Sequence, residues 1–188
     1  MDHTRKNEFS GLTVLDLSRY LPGGYATQVL ADMGAEVIKV EDTGRGDFCR
    51  HDEPVMQGES YYFTALARNK KSLSVNLKSR EGKEIFHKLA AKSDIILESF
   101  RPGVTTRLGI DYEQIKAVKP DIIYCSLSGY GQSNPNSLKA LHDINMQAQS
   151  GYLSLNGGKT SPLHLCDLAS GMVAAQAILA ALYQRSVS

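Results

Sequence analysis

Five short apolar runs, each separated from the next by a stretch with helical periodicity or turn residues, constrain this chain more than any other feature. They are "LTVLDL" (12–17), "AEVIKVE" (35–41), "SLSVNL" (72–77), "DIILES" (94–99) and "DIIYCSL" (121–127). Each is too short for a core helix and rich in β-branched residues, so each reads as a strand. Strands apolar along their whole length must be covered on both faces, which parallel strands joined by crossover helices achieve. The expected fold class is therefore α/β: a Rossmann-like parallel sheet with helices on both faces and right-handed crossovers.

The connecting segments agree. "YATQVLADM" sets Ala26, Val29, Leu30 and Met33 on one face, and Gly34 stands where a C′ glycine would stop the helix. "SRYLPGG" (18–24) before it reads as a loop. Ser79 is the expected N-cap of "REGKEIFHKLAAK", and Asp111 with Gln114 forms a capping-box start for "DYEQIKAVK". Residues 43–60 form the longest irregular segment, and residues 1–10 read as a flexible tail. From Ser128 to Pro162 the chain is rich in Gly, Ser and Asn. That stretch leaves the carboxyl end of a strand, where open α/β sheets bind ligands. The last helix, from about Leu168 to Tyr183, is apolar around its circumference apart from Gln176, so a partner chain or further residues must cover it.

A formal net charge of +1 removes the electrostatic footprint of a nucleic-acid binder and leaves small anionic ligands open. Cys49, Cys125 and Cys166 have neither paired nor metal-like spacing, so reduced thiols and a cytoplasmic location are expected. No uncharged stretch approaches the ~20 residues of a membrane span, and no membrane role is expected. His3, His51, His87, His142 and His164 show no metal-ligand spacing. Glu41 after the second strand imitates the ribose-binding acid of a dinucleotide site, yet "PGGY" is not G-x-G-x-x-G, and no Walker A sequence occurs.

Asp167, at the mouth of the last helix, has two readings. As a cap it satisfies free N–H groups at the positive end of the helix dipole. The same position would keep it ionised for chemistry on a thioester. His142 in "LHDIN" reads alone as a loop or helix-start residue, with Asp143 the better cap. Brought together, His142 and Asp167 are two groups able to move protons near neutral pH.

In order, "LTVLDLSRYLPGGYATQVLADMGAEVIKVE", "NKKSLSVNLKSREGKEIF", "ESFRPGVTTRLGIDYEQIK", "HDINMQAQSGYLSLNG" and "LCDLASGMVAAQAILAALYQR" resemble the CaiB/BaiF family, the class III CoA-transferases, which includes 2-methylacyl-CoA racemases. The resemblance implies that residues 1–188 are the N-terminal part of a Rossmann-like large domain. It implies an acyl-CoA substrate, a carboxylic acid acceptor, no cofactor beyond the CoA thioester itself, no metal, and a homodimer or a complementing C-terminal half. It puts Asp167 at the catalytic aspartate, which forms a mixed anhydride in the transferases and works with His142 across the α-carbon in the racemases. A third alternative is a truncated module inactive without a partner chain.

For CoA contacts the resemblance points to Val75, Asn76, Leu77 and Lys78, to Ser99, Phe100 and Arg101, and to Arg107. Where the family often carries arginine after the acid ending the second strand, this chain has Asp42, with Arg45 or Arg50 as the expected substitutes. Family members also continue well beyond the point where this chain stops.

Overall fold

The structure, a computed structural model, describes residues 8–188; His3 and most of the stretch read as a tail lie outside the described residues. Phe9, at the end of that stretch, donates its N–H to the Met33 carbonyl at 3.1 Å and packs against the core. In chain order the first half contains β1 (Thr13–Leu17), α1 (Tyr20–Asp32), β2 (Glu36–Glu41), a small hairpin of β3 (Val55–Met56) and β4 (Glu59–Ser60), α2 (Tyr61–Ala67) and β5 (Lys70–Ser74). There follow α3 (Arg80–Ala90), β6 (Ile95–Glu98), α4 (Val104–Leu108), α5 (Tyr112–Lys116), β7 (Ile123–Ser126), α6 (Asp143–Gln149), α7 (Tyr152–Leu155) and α8 (Leu165–Val187).

The main sheet runs β5-β2-β1-β6-β7, and every pair in it is parallel. Successive strand residues point to opposite faces, so β1 sends Val14 into one buried cluster and Leu15 into the other. The Val14 side is closed by α1 and α8 through Ala26, Leu30, Ala174, Ala175 and Ile178. The Leu15 side is closed by α3 and α5 through Phe86, Ala90 and Ile115. Full burial of a side chain such as Phe86 contributes about 2–3 kcal/mol. From β1 the chain builds outward to β2 and β5, then returns to build β6 and β7 on the other side. The loops after β1 and β6 diverge, opening a crevice at the carboxyl ends of the strands.

Local sequence explains the caps. Ser79 accepts from the Gly82 N–H, and Asp111 from the Gln114 N–H in a capping box, both as read from sequence. Two boundaries in the first half differ. The segment read as a loop before "YATQVLADM" is already helical from Tyr20, because Pro22 sits in the first turn, where its missing N–H costs nothing. The third strand of the sheet occupies Lys70–Ser74 rather than 72–77, which leaves Val75–Leu77 beyond the strand end, where the chain turns toward α3. Segment 43–60 is irregular apart from a short 3₁₀ turn at Phe48–His51 and the small hairpin.

The last helix is longer than the sequence suggested, 23 residues from Leu165 to Val187, and by length and composition it is long and apolar enough to cross a membrane. Its buried residues, Gly171, Ala174, Ala175 and Ile178, recur at the spacing of one face, which is packed against α1. It is not buried on several sides: Met172, Val173, Tyr183 and Val187 are exposed.

Candidate active site

At the carboxyl ends of β1, β2 and β5 lies a cavity of about 100 Å³. Its walls include Ser18 and Arg19 after β1, Lys39 and Glu41 on β2, Asp47, and the turn after β5. That turn supplies Val75, Asn76, Leu77 and Lys78, and Phe100 after β6 completes the lining. Five of the eight residues expected to contact CoA thus share one wall system. The turn is tightly built: the Asn76 carbonyl accepts from the Ser79 N–H and hydroxyl, and Asn76 Oδ1 accepts from the Lys78 N–H. Ser99 does not line the cavity, but its Oγ accepts from the Arg19 N–H at 3.0 Å and so ties the β6 loop to the β1 turn. Arg101 and Arg107 are exposed and lie outside the cavity.

Beneath the cavity is a charge network that sequence reasoning missed. Asp16 on β1 pairs with Lys39 at 3.6 Å and Lys70 at 3.0 Å, and Lys39 pairs with Asp47 at 2.8 Å, all four side chains being almost wholly buried. Two carboxylates and two ammonium groups balance, the condition under which buried charges are tolerated. Burial works against the Asp16 charge, but Lys39, Lys70 and the Ser18 and Thr27 hydroxyls hold its carboxyl well below the ordinary range. Burial likewise opposes charge on Lys39, which Asp16 and Asp47 nonetheless raise, whereas for Lys70 burial prevails and its value falls. The signal was present in the sequence: Asp16 and Lys39 each interrupt an otherwise apolar strand run.

Glu41 is fully engaged. It accepts from Arg50 Nε and Nη2 at 2.7 Å each, from the Ser72 hydroxyl at 2.7 Å and from the Asp47 N–H at 2.9 Å. Despite burial, these donors bring its carboxyl down to about 2. A side chain so committed is not free for a ribose diol. Arg50 is spent on Glu41 and lies over the Phe63 ring at 3.9 Å, so it is not the substitute guanidinium, and Arg45 does not line the cavity either. The guanidinium at the cavity belongs to Arg19.

The second part of the site is the start of α8. Asp167 stands in the first turn, three positions after His164 at the N-cap, and does not cap the helix. That task falls to Asp143 on α6, whose Oδ1 accepts from the Cys166 N–H at 2.7 Å and the Asp167 N–H at 3.0 Å. Asp143 also accepts from the Gln147 side chain, and Gln147 Oε1 in turn accepts from the Ser161 N–H. Because α8 starts at Leu165, ahead of the Asp167 expected as its cap, its free N–H groups fall at Cys166 and Asp167. A buried carboxylate from a neighbouring helix takes them, while among the described residues the Asp167 side chain accepts no hydrogen bond. His142 occupies the N-cap position of α6, its N–H donating to Asn145 Oδ1.

The Asp143 bonds therefore bring His142 and Asp167 into one neighbourhood. Burial, then the Asp143 charge, raise the Asp167 carboxyl above its ordinary value, and His164 and His142 pull against this. Burial beside a like charge thus outweighs the pull of the two histidines and makes this carboxyl less acidic than an ordinary aspartate. Tyr62 on α2 meets His164 edge to face with ring centroids 6.5 Å apart. Burial, Cys49 and Asp167 push its phenol up to about 12, which marks it as a neutral hydroxyl near the carboxylate. At one end of the segment from Asp47 to Tyr62, Asp47 lines the cavity, and at its other end Tyr62 feels the Asp167 charge. Among the described residues no group of three or more His, Cys, Asp and Glu side chains could hold a metal ion.

Residues 9–188 match the sequence profile described as CoA-transferase family III. The chain belongs to that family. Among curated relatives, the human succinyl-CoA:glutarate CoA-transferase is 44% identical across 93% of this chain and 41% of its own length. An acyl-CoA transferase of Fusarium pseudograminearum is 40% identical across 94% of this chain and 42% of its own. A crystal structure of a CaiB/BaiF family protein from Brucella suis superposes with a TM-score of 0.91 at 34% identity, covering 96% of this chain and 50% of that one. The chain spans less than half the length of these curated relatives.

Proposed function

We propose that this chain is the acyl-CoA-binding and nucleophile-bearing part of a CoA-transferase that moves CoA between carboxylic acids. The observation that carries the reading is the unoccupied Asp167 carboxylate, relieved of capping by Asp143 and set in the first turn of α8. An Asp167 oxygen attacks the thioester carbonyl carbon, the C–S bond breaks, and CoA leaves as thiolate, giving an aspartyl mixed anhydride. The thiolate attacks the aspartyl carbonyl, releasing the donor acid and leaving an aspartyl thioester. The acceptor carboxylate displaces CoA from it, and the thiolate takes the acceptor's acyl group, which restores Asp167. The raised Asp167 pKa makes the carboxylate more basic than an ordinary aspartate and hence a better nucleophile once ionised.

The relative that acts between succinyl-CoA and glutarate supports dicarboxylic acids as the acceptor class. No metal or redox cofactor enters these steps. The exposed outer stripe of α8 supports a covering partner, either a second copy or the further residues that longer relatives carry. Three free cysteines fit a reducing, cytoplasmic setting.

His142, exposed and electrostatically felt at Asp167, favours a second reading, a 2-methylacyl-CoA racemase in which the two residues exchange the α-proton. One experiment separates them: the enzyme is incubated with a branched acyl-CoA in deuterated water, with and without succinate. Acceptor-dependent CoA exchange supports the transferase, and α-deuteration without acceptor supports the racemase. Asp167→Asn retains the fold and loses at least about 1,000-fold in either activity, since it removes the reacting group itself. Unchanged turnover in that variant would remove Asp167 from both mechanisms.

A further inference from the structure

Arg19 stands at the mouth of the cavity, outside the buried charge network and held by aromatic rings. It follows β1 where the loops diverge, and its backbone N–H is pinned to Ser99 Oγ at 3.0 Å. Its guanidinium lies 4.7 Å from the Phe48 ring centroid and 5.7 Å from that of Phe100. Phe100 is itself a wall of the cavity. Two aromatic rings thus hold the group in place while its side chain remains 39% exposed. Its ion-pair partner, Asp42 Oδ2, stays 3.7 Å away, and Asp42 Oδ1 accepts instead from the Gly44 and Arg45 N–H groups. Among the described residues the Arg19 guanidinium donates no hydrogen bond. Lys39, Lys70 and Arg50, by contrast, are all committed to carboxylates.

A guanidinium held by aromatic rings and spending none of its N–H groups on hydrogen bonds keeps them for an oxyanion, which such a fork binds in a bidentate manner. We infer that Arg19 binds the diphosphate of the acyl-CoA and is a specificity residue for thioesters bearing a nucleotide. The inference rests on the acyl-CoA reading above.

The test compares the affinity of the 188-residue chain for CoA and for pantetheine, which lacks every phosphate, by titration calorimetry. Arg19→Gln is expected to weaken CoA by about 10- to 100-fold, the scale of lost charge-assisted hydrogen bonds, and to leave pantetheine unchanged. Arg19→Lys, which keeps the charge but not the fork, is expected to fall between. An equal loss for both ligands, or less than about a threefold loss for CoA, would overturn the inference while leaving the acyl-CoA reading intact. Failure of the parent chain to bind CoA at all would overturn the acyl-CoA reading first, and Arg19's role with it.

Discussion

Replacing Glu41 with Gln probes what holds the loop that leads from Asp47 to Tyr62. The carboxylate accepts four hydrogen bonds, two from Arg50, one from Ser72 and one from the Asp47 N–H. Glutamine keeps one acceptor oxygen and turns a donor amide toward the Arg50 donors, so at least two of the four bonds are lost. The carboxyl sits at about 2 rather than its ordinary 4.5. At about 1.4 kcal/mol per pH unit, that difference makes the ionised form worth about 3 kcal/mol to the folded state. Removing one partner of a buried ion pair gives a similar figure, about 3 kcal/mol, at the low end because Arg50 keeps some solvent.

Glu41→Gln is therefore expected to lose about 3 kcal/mol in urea unfolding at pH 7. A depressed folded-state pKa stabilises fully above the unfolded value and fades as pH falls toward the folded one. The gap between parent and variant should accordingly close as pH falls from 4.5 to about 2. A loss under about 1 kcal/mol, the scale of an exposed pair, or a gap that persists unchanged at the acid end, would refute this account of the loop.

Two more outcomes follow from packing and burial. A Cβ on Gly171 would lie 2.5 Å from the Pro22 carbonyl oxygen, a backbone atom, so Gly171→Ala forces α8 away from α1. About 1–3 kcal/mol of stability should be lost, read as a lower thermal midpoint. The Cys49 thiol is buried and pushed up to about 12, and Cys125 up to about 11, so neither should react with a disulfide reagent at pH 8 in the native state. Both should react once guanidinium unfolds the chain.

The sheet was readable because parallel strands advertise themselves by continuous apolarity, and the helix starts at Ser79 and Asp111 because their caps are local. The Asp143 capping of α8 was not readable, because its donor and acceptor lie more than 20 residues apart and only the tertiary fold joins them. The last helix was legible in part: its apolar circumference showed that more than one face asks for cover, but which face α1 takes is set by the fold. Asp16 and Lys39 were visible as charges inside apolar runs, but their pairing required the strand register. Residues Val75–Leu77 were placed within a strand rather than beyond one, since β-propensity does not mark where a ladder ends.

By gripping the first turn of α8 from the start of α6, Asp143 ties the histidine beside it to the aspartate it holds. A displacement of α6 would reach Asp167 through these two bonds without passing through the sheet.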